Sequence, residues 1–123
     1  MGIGNAIVIG GGIGGLAAAA ALSRRGMAVT LLEQAPAITE VGAGLQISPN
    51  GIAVLRAMGL DAKLTERAAV RGQAVVLQDY KAGARVARLD LMRGQGAHPY
   101  MFVHRADLVD ILLGAAKRGN VTI

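Results

Sequence analysis

Residues 6–33 restrict the fold more than any other stretch. They read AIVIGGGIGGLAAAAALSRRGMAVTLLE. Ala6-Ile7-Val8-Ile9 is a short apolar run, long enough for one buried strand. The run from Gly10 to Gly15 follows at once, interrupted only by Ile13, and Gly10, Gly12 and Gly15 satisfy G-x-G-x-x-G. Leu16 to Arg25 is alanine-rich and predicts a helix. Gly26 stands where a helix is expected to stop. Met27 to Leu32 is a second apolar run, and Glu33 closes it.

Each part of this order has a physical reason. The first glycine lets the backbone turn sharply from strand to helix. The second removes a Cβ, so that main-chain N–H groups can approach a pyrophosphate, and the third lets helix and strand pack closely. The helix start offers free N–H donors and the positive end of its dipole to that anion. Glu33 falls near the ~20-residue spacing expected of an acid that accepts hydrogen bonds from a ribose hydroxyl. A glycine motif alone is weak. Between a strand and a helix, and ahead of a strand that ends in an acid, it predicts a dinucleotide site. A solvated strand-end carboxylate is the alternative reading of Glu33.

The first charged side chain is Arg24, so a hydropathy reading of the N-terminus raises the question of a membrane span. The glycine run suits a turn better than a span, and the apolar stretch falls short of ~20 residues. Met1 to Asn5 lacks the basic residues of a secretory signal, and Ala6 breaks the N-myristoylation pattern. No membrane association is expected. The absence of cysteine excludes a disulfide framework, a thiolate metal site and a cysteine nucleophile, and fits a reducing cytoplasm. His98 and His104 form no metal-ligand pattern, so no metal is expected. The net charge of +5 raises nucleic acid as a partner. The basic residues are scattered, however, and Tyr80, Tyr100 and Phe102 make no stacking platform, so nucleic acid is not expected. A length of 123 residues suits one domain with an aliphatic core.

Beyond Glu33, Gln34-Ala35-Pro36 leaves the second strand, and Ala37 to Gln46 predicts a loop around Gly42-Ala43-Gly44. Ser48-Pro49 predicts an N-cap and first helical residue, with Ile52, Leu55 and Met58 on the core face and Gly59 at the end. Asp61 is expected to cap a short helix through about Ala69. Gln73 to Tyr80, a turn at Lys81-Ala82-Gly83 and the alternation of Ala87, Leu89 and Leu91 predict an antiparallel hairpin. Met92 to Pro99 reads as a loop and Tyr100 to Val103 as a strand. His104-Arg105-Ala106-Asp107 opens a helix with Leu108, Ile111, Leu112 and Ala115 on its apolar face and Gly119 beyond its end. Val121-Thr122-Ile123 begins another strand. The fold class expected is α/β, Rossmann-like, with a βαβ start, a parallel sheet and an inserted antiparallel hairpin.

GGGIGG, then LLEQAPAITEVGAGLQISPNG, then HRADL, in this order and spacing, resemble the N-terminal part of class A flavoprotein aromatic monooxygenases such as salicylate hydroxylase. The resemblance covers essentially the whole chain. It implies an FAD-binding fold, with Gly10, Gly12, Gly14 and Gly15 facing the pyrophosphate, Glu33 the adenosine ribose and Gln34 the adenine end. It further implies that Gly42-Ala43-Gly44 and Gln46 run near the ribityl chain and flavin ring, and that Arg105 reaches the phosphates or ribityl hydroxyls. The activity implied is hydroxylation of an aromatic acid of the salicylate or hydroxybenzoate type, with NAD(P)H as reductant of FAD. No catalytic residue is assignable in this chain. The family's downstream Asp-Gly and Gly-Asp segments and its substrate-covering sheet have no counterpart here. Residues 1–123 are therefore expected to be the N-terminal portion of an FAD-binding domain, inactive by itself.

Plainer readings stand beside these. Gly42 and Gly44 could be turn glycines, Gln46 could be structural, and Arg105 could be a surface residue. His104 suits capping or packing, and Tyr100 and Phe102 suit the core. An NAD-binding dehydrogenase domain fits the glycine motif and Glu33 as well. A non-catalytic truncated fragment is the third reading, with an open sheet edge that invites self-association.

Overall fold

A computed structural model of the chain describes residues 4–39, 42–67, 69–93 and 98–123. The elements follow in the order β1 (Asn5–Ile9), α1 (Ile13–Arg24), β2 (Ala28–Leu32), β3 (Gly44–Ile47), α2 (Pro49–Ala57), α3 (Asp61–Glu66), β4 (Val70–Arg71), β5 (Ala74–Gln78), β6 (Arg85–Asp90), β7 (Met101–His104), α4 (Arg105–Arg118) and β8 (Val121–Thr122). They divide between two units. The first comprises residues up to Ala43 together with His104–Ile123, and the second comprises Gly44–Val103.

In the first unit the expected βαβ start is present. β1 and β2 pair in parallel from Asn5↔Ala28 to Ile9↔Leu32. β8 adds to the far side of β2, also in parallel, through Val29↔Val121 and Thr30↔Thr122. The strand order is β1-β2-β8. Right-handed crossovers that step in one direction put their helices on one face of the sheet. α1 and α4 accordingly pack against each other. Alternation then sorts the side chains of β2: Val29 and Leu31 are buried, Thr30 and Leu32 exposed. Leu16, Ala19 and Ala20 from α1 and Leu108, Val109, Ile111, Leu112 and Ala116 from α4 complete an aliphatic core. The other face of the sheet is bare, with Ile7 70% and Ile9 84% exposed. Ser23 ties the far end of α1 to the last loop, its hydroxyl accepting the Asn120 N–H at 2.6 Å.

α1 starts three residues before the alanine run does, because Gly12 is its N-cap and two glycines occupy its first turn. Their low propensity concealed this start. The C-terminal glycine stops are as expected, with φ of 87° at Gly26 and 70° at Gly59.

The second unit carries a sheet of order β3-β7-β4, with β4 and β7 antiparallel through Val70↔Phe102 and Arg71↔Met101. Its core is Ile47, Ile52, Leu55, Met58, Leu60, Leu64, Met101 and Val103. Pro49 opens α2 as the sequence indicates, but the Ser48 hydroxyl bonds the Asn50 side chain and makes no side-chain cap. Asp61 is likewise no cap. Leu60 holds that position, α3 ends at Glu66, and the Asp61 carboxylate accepts a hydrogen bond from Arg56 Nε at 2.8 Å. The stretch expected to be a loop through Gln46 becomes strand β3 from Gly44 onward. Two residues of the preceding loop, Glu40 and Val41, lie outside the described residues, as do residues 94–97 of the Met92–Pro99 loop.

The inserted hairpin is present as β5 and β6, paired antiparallel from Ala74↔Asp90 to Gln78↔Arg85. Asp79 organises its turn, one carboxylate oxygen accepting the Lys81 N–H at 3.0 Å and the other the Ala82 N–H at 2.8 Å. Among the described residues no helix is long and apolar enough to cross a membrane, and no group of acidic or histidine side chains is placed to hold a metal ion.

Candidate functional site

The site is built where β1 hands over to α1. The ladder between β1 and β2 continues one step past Ile9, because Gly10 donates its N–H to the Leu32 carbonyl at 2.7 Å. Gly10 then takes φ of 99°, a conformation that side chains oppose, and the chain reverses toward the helix. The Gly12 carbonyl accepts the first helical bond, from the Leu16 N–H at 2.9 Å. The amides of the turn before Leu16 are therefore the ones a helix start leaves for other acceptors. No acidic side chain occupies this first turn, so the positive end of the dipole is not neutralised from within.

The glycines differ in what surrounds them. A Cβ on Gly15 would lie 1.8 Å from the Gly10 carbonyl oxygen, so this residue sets how closely α1 approaches the end of β1. A Cβ on Gly12 or Gly14 would meet nothing within 4 Å. The open side of the turn is thus a backbone-lined cradle that two methyl groups would fill. A diphosphate needs such a surface: bare amides, positive potential and no side chain in its way.

Glu33 stands directly against this turn. Its Oε2 accepts the Gly11 N–H at 2.6 Å, and its Oε1 accepts the Ala35 N–H at 2.8 Å. The hydrogen bond from Ala35, then that from Gly11, hold the carboxyl below its usual pKa, against a smaller opposing effect of desolvation. The sign follows from linkage. Ionised Glu33 stabilises the fold at neutral pH, and that contribution is lost as pH falls through the lowered folded-state value.

A cavity of about 320 Å³ opens beside Glu33, lined by Pro36 and Ile38 from the loop after β2, by Leu113 and Lys117 from α4, and by Ile123. Its size lies in the range of small-molecule sites. Gln34 is exposed at the adjoining position. Arg105 is the first residue of α4. It is half-buried, its Nε is withdrawn from solvent, and its N–H donates to the Ala43 carbonyl at 2.9 Å. His104 is the N-cap residue of α4 without a side-chain capping bond, and its ring lies against Gly42.

The structure therefore brings the glycine turn and Glu33 into contact. Gln34 and Arg105 belong to the same unit. Gly44 and Gln46 belong to the other, where Gly44 begins β3 and Gln46 Oε1 accepts a hydrogen bond from the Tyr100 hydroxyl at 2.7 Å. Sequence reasoning missed Gly11, Ala35, Ile38 and Lys117. Gly11 has no side chain to mark it, and Ala35 acts only through its amide. Lys117 lies in the last turn of α4, where a basic residue complements the helix dipole, and only the pairing of β8 with β2 reveals its place at the cavity.

Comparison with known proteins adds a family to this geometry. A family profile described as an FAD binding domain matches residues 5–123. The chain is 43% identical over 119 residues to the 3-hydroxybenzoate 6-hydroxylase of Polaromonas naphthalenivorans (strain CJ2), covering 94% of this chain and 30% of that protein. It is 44% identical over 118 residues to the 3-amino-4-hydroxybenzoate 2-monooxygenase PtmB3 of Streptomyces platensis, covering 93% of this chain and 29% of that one. The solved tetrameric form of 2-methyl-3-hydroxypyridine-5-carboxylic acid oxygenase superposes with a TM-score of 0.83 at 27% identity, over 97% of this chain and 30% of its own. The chain thus spans about 30% of the length of these relatives.

Proposed function

The chain belongs to the FAD-binding-domain family, and from that premise we propose that it is the part of an aromatic-acid monooxygenase that holds the adenosine diphosphate half of FAD. The observation that carries the reading is the glycine turn with Glu33 against it: open amides on one side and a carboxylate at the adjoining edge. The amides around Gly12, Gly14 and Gly15 hold the diphosphate, and Gly10 makes the turn possible. Glu33 accepts from the ribose, Gln34 and the cavity beside it take the adenine end, and Arg105 supplies positive charge toward the phosphates. Gly44 and Gln46 serve the ribityl and flavin half.

When bound, FAD accepts electrons from NAD(P)H and activates dioxygen for transfer to the ring of an aromatic acid. The residues of this chain bind and orient it, and none of them is assigned as an acid, base or nucleophile of the reaction. The names of the relatives, hydroxylases and monooxygenases of hydroxybenzoates, support the substrate class. Residues 1–123 form an N-terminal portion of the FAD-binding domain. The dehydrogenase reading has less support, because the chain leaves the parallel sheet after β2 and builds Gly44–Val103 before β8 returns. The chain self-associates through an open sheet edge, a reading supported by the place of β1 at the edge of the β1-β2-β8 sheet and by the exposure of its Ile7 and Ile9.

Titration of the chain with FAD and with FMN, followed by flavin fluorescence, tests the assignment. Binding of FAD, its displacement by ADP and failure of FMN to bind are the expected results. Equal binding of FMN, or no binding of FAD, would remove the reading.

A further inference from the structure

Gly11 differs from the glycines on either side of it. A Cβ on Gly10 or Gly12, or on Gly14 beyond, would meet nothing within 4 Å, whereas a Cβ on Gly11 would lie 2.9 Å from Ile38 Cδ1 and 3.0 Å from Glu33 Oε2. Its N–H is already engaged, donating to that same carboxylate oxygen at 2.6 Å. The other carboxylate oxygen holds the Ala35 N–H at 2.8 Å, at the start of the loop that brings Ile38 onto Gly11. One acid therefore links the turn before α1 to the loop after β2, through two charge-assisted bonds to main-chain amides.

We propose that Glu33 is a positioning residue for the glycine turn: its carboxylate clamps the Gly11 amide before any cofactor arrives, and so determines which amides remain for the diphosphate. The proposal rests on the cofactor reading above. It assigns the Gly11 N–H to the protein's own acid and leaves the amides on the Gly12–Gly15 side to the ligand. The two roles of Glu33 are compatible. A carboxylate has about four acceptor sites, and two backbone bonds leave room for a ribose hydroxyl. The turn is thereby held in its binding shape in the free protein, which reduces the ordering that a ligand would otherwise have to impose.

Glu33→Gln separates clamping from ribose contact. A carboxamide offers one acceptor oxygen, and its NH₂ would face an N–H donor. The discriminating probe is 2′,3′-dideoxy-ADP, which keeps the diphosphate and adenine but has no ribose hydroxyls. If Glu33 positions the turn, Glu33→Gln weakens this probe by about tenfold, as for the loss of one charged hydrogen bond. If Glu33 serves only the ribose, the variant binds dideoxy-ADP as the wild type does, and the proposal is overturned.

Two further measurements guard against a variant that folds poorly. In the ligand-free wild type, the amide proton resonances of Gly11 and Ala35 should move together on acidification, with one midpoint below the usual carboxylate range. Independent or absent titration of Gly11 overturns the clamp without recourse to a variant. Gly11→Ala keeps the carboxylate but crowds it, and should weaken dideoxy-ADP as Glu33→Gln does; unchanged binding counts against the clamp. Failure of the wild type to bind ADP or dideoxy-ADP would refute the cofactor reading and this proposal with it. Normal wild-type binding with an insensitive variant refutes the positioning role alone.

Discussion

Gly15→Ala is expected to abolish FAD binding and to destabilise the first unit by ~3 kcal/mol or more. The added Cβ would fall 1.8 Å from the Gly10 carbonyl oxygen and 3.0 Å from its carbon. Both are backbone atoms, so no rotamer change relieves the contact. α1 must instead move away from the end of β1, and Leu16, which is fully buried on that helix, moves with it. Gly14→Ala is the matched control. Its methyl meets nothing within 4 Å, and alanine is the better helix former by up to ~1 kcal/mol. It should fold as well as the wild type or better, yet bind FAD less tightly, because the methyl enters the open side of the turn. Urea denaturation followed by circular dichroism, with flavin fluorescence for binding, separates the two outcomes. A Gly15→Ala protein with wild-type stability would mean that the close approach of helix and strand does not hold the turn.

Leu112→Ala tests the support behind the site. Leu112 is 1% exposed, and with Leu16, Leu31 and Val109 it is among the largest fully buried side chains of the first unit. Truncation removes the transfer free energy of the side chain and leaves a cavity that neighbours refill only in part, at a cost of ~3 kcal/mol within a usual range of about 2–5. That is a large share of the ~5–15 kcal/mol that holds a typical domain together. The urea midpoint should fall sharply. FAD affinity of the protein that remains folded should not, since Leu112 lines neither the turn nor the cavity. The adjacent Leu113 does line the cavity, so Leu113→Ala provides the contrast in binding. A loss below about 1 kcal/mol for Leu112→Ala would show that α4 is not packed as described.

The parts of the fold legible in the sequence are those that repeat a pattern along the chain. The apolar runs of β1 and β2, the spacing of Ile52 and Leu55 in α2, and the alternation in β6 each declare an element. What escaped notice is set by partners elsewhere. β4 is two residues long and exists because Val70 and Arg71 meet β7. β3 looked like a loop because Gly44 and its neighbours are small, yet it joins the sheet through β7. Ser48 and Asp61 carry side chains that often cap helices, but each found a better partner, Asn50 in one case and Arg56 in the other. At the site, the place of Glu33 beside the glycine turn follows from its spacing, since β2 must end next to β1 in a parallel pair. Its engagement with the Gly11 amide does not, because any residue could have supplied that N–H. The cavity was equally hidden: Leu113, Lys117 and Ile123 reach it only because β8 pairs with β2.

The strand order carries a consequence for assembly of the molecule. The glycine turn, its helix and its acid are all complete by Glu33, while the helix and strand that brace them, α4 and β8, follow only after the whole of Gly44–Val103. Contacts so far apart in sequence are slow to form, because a long loop must close before any of them contributes. A nascent chain would therefore carry the glycine turn without these braces until Val121 and Thr122 leave the ribosome, and their pairing with β2 joins stretches of chain that lie on either side of Gly44–Val103.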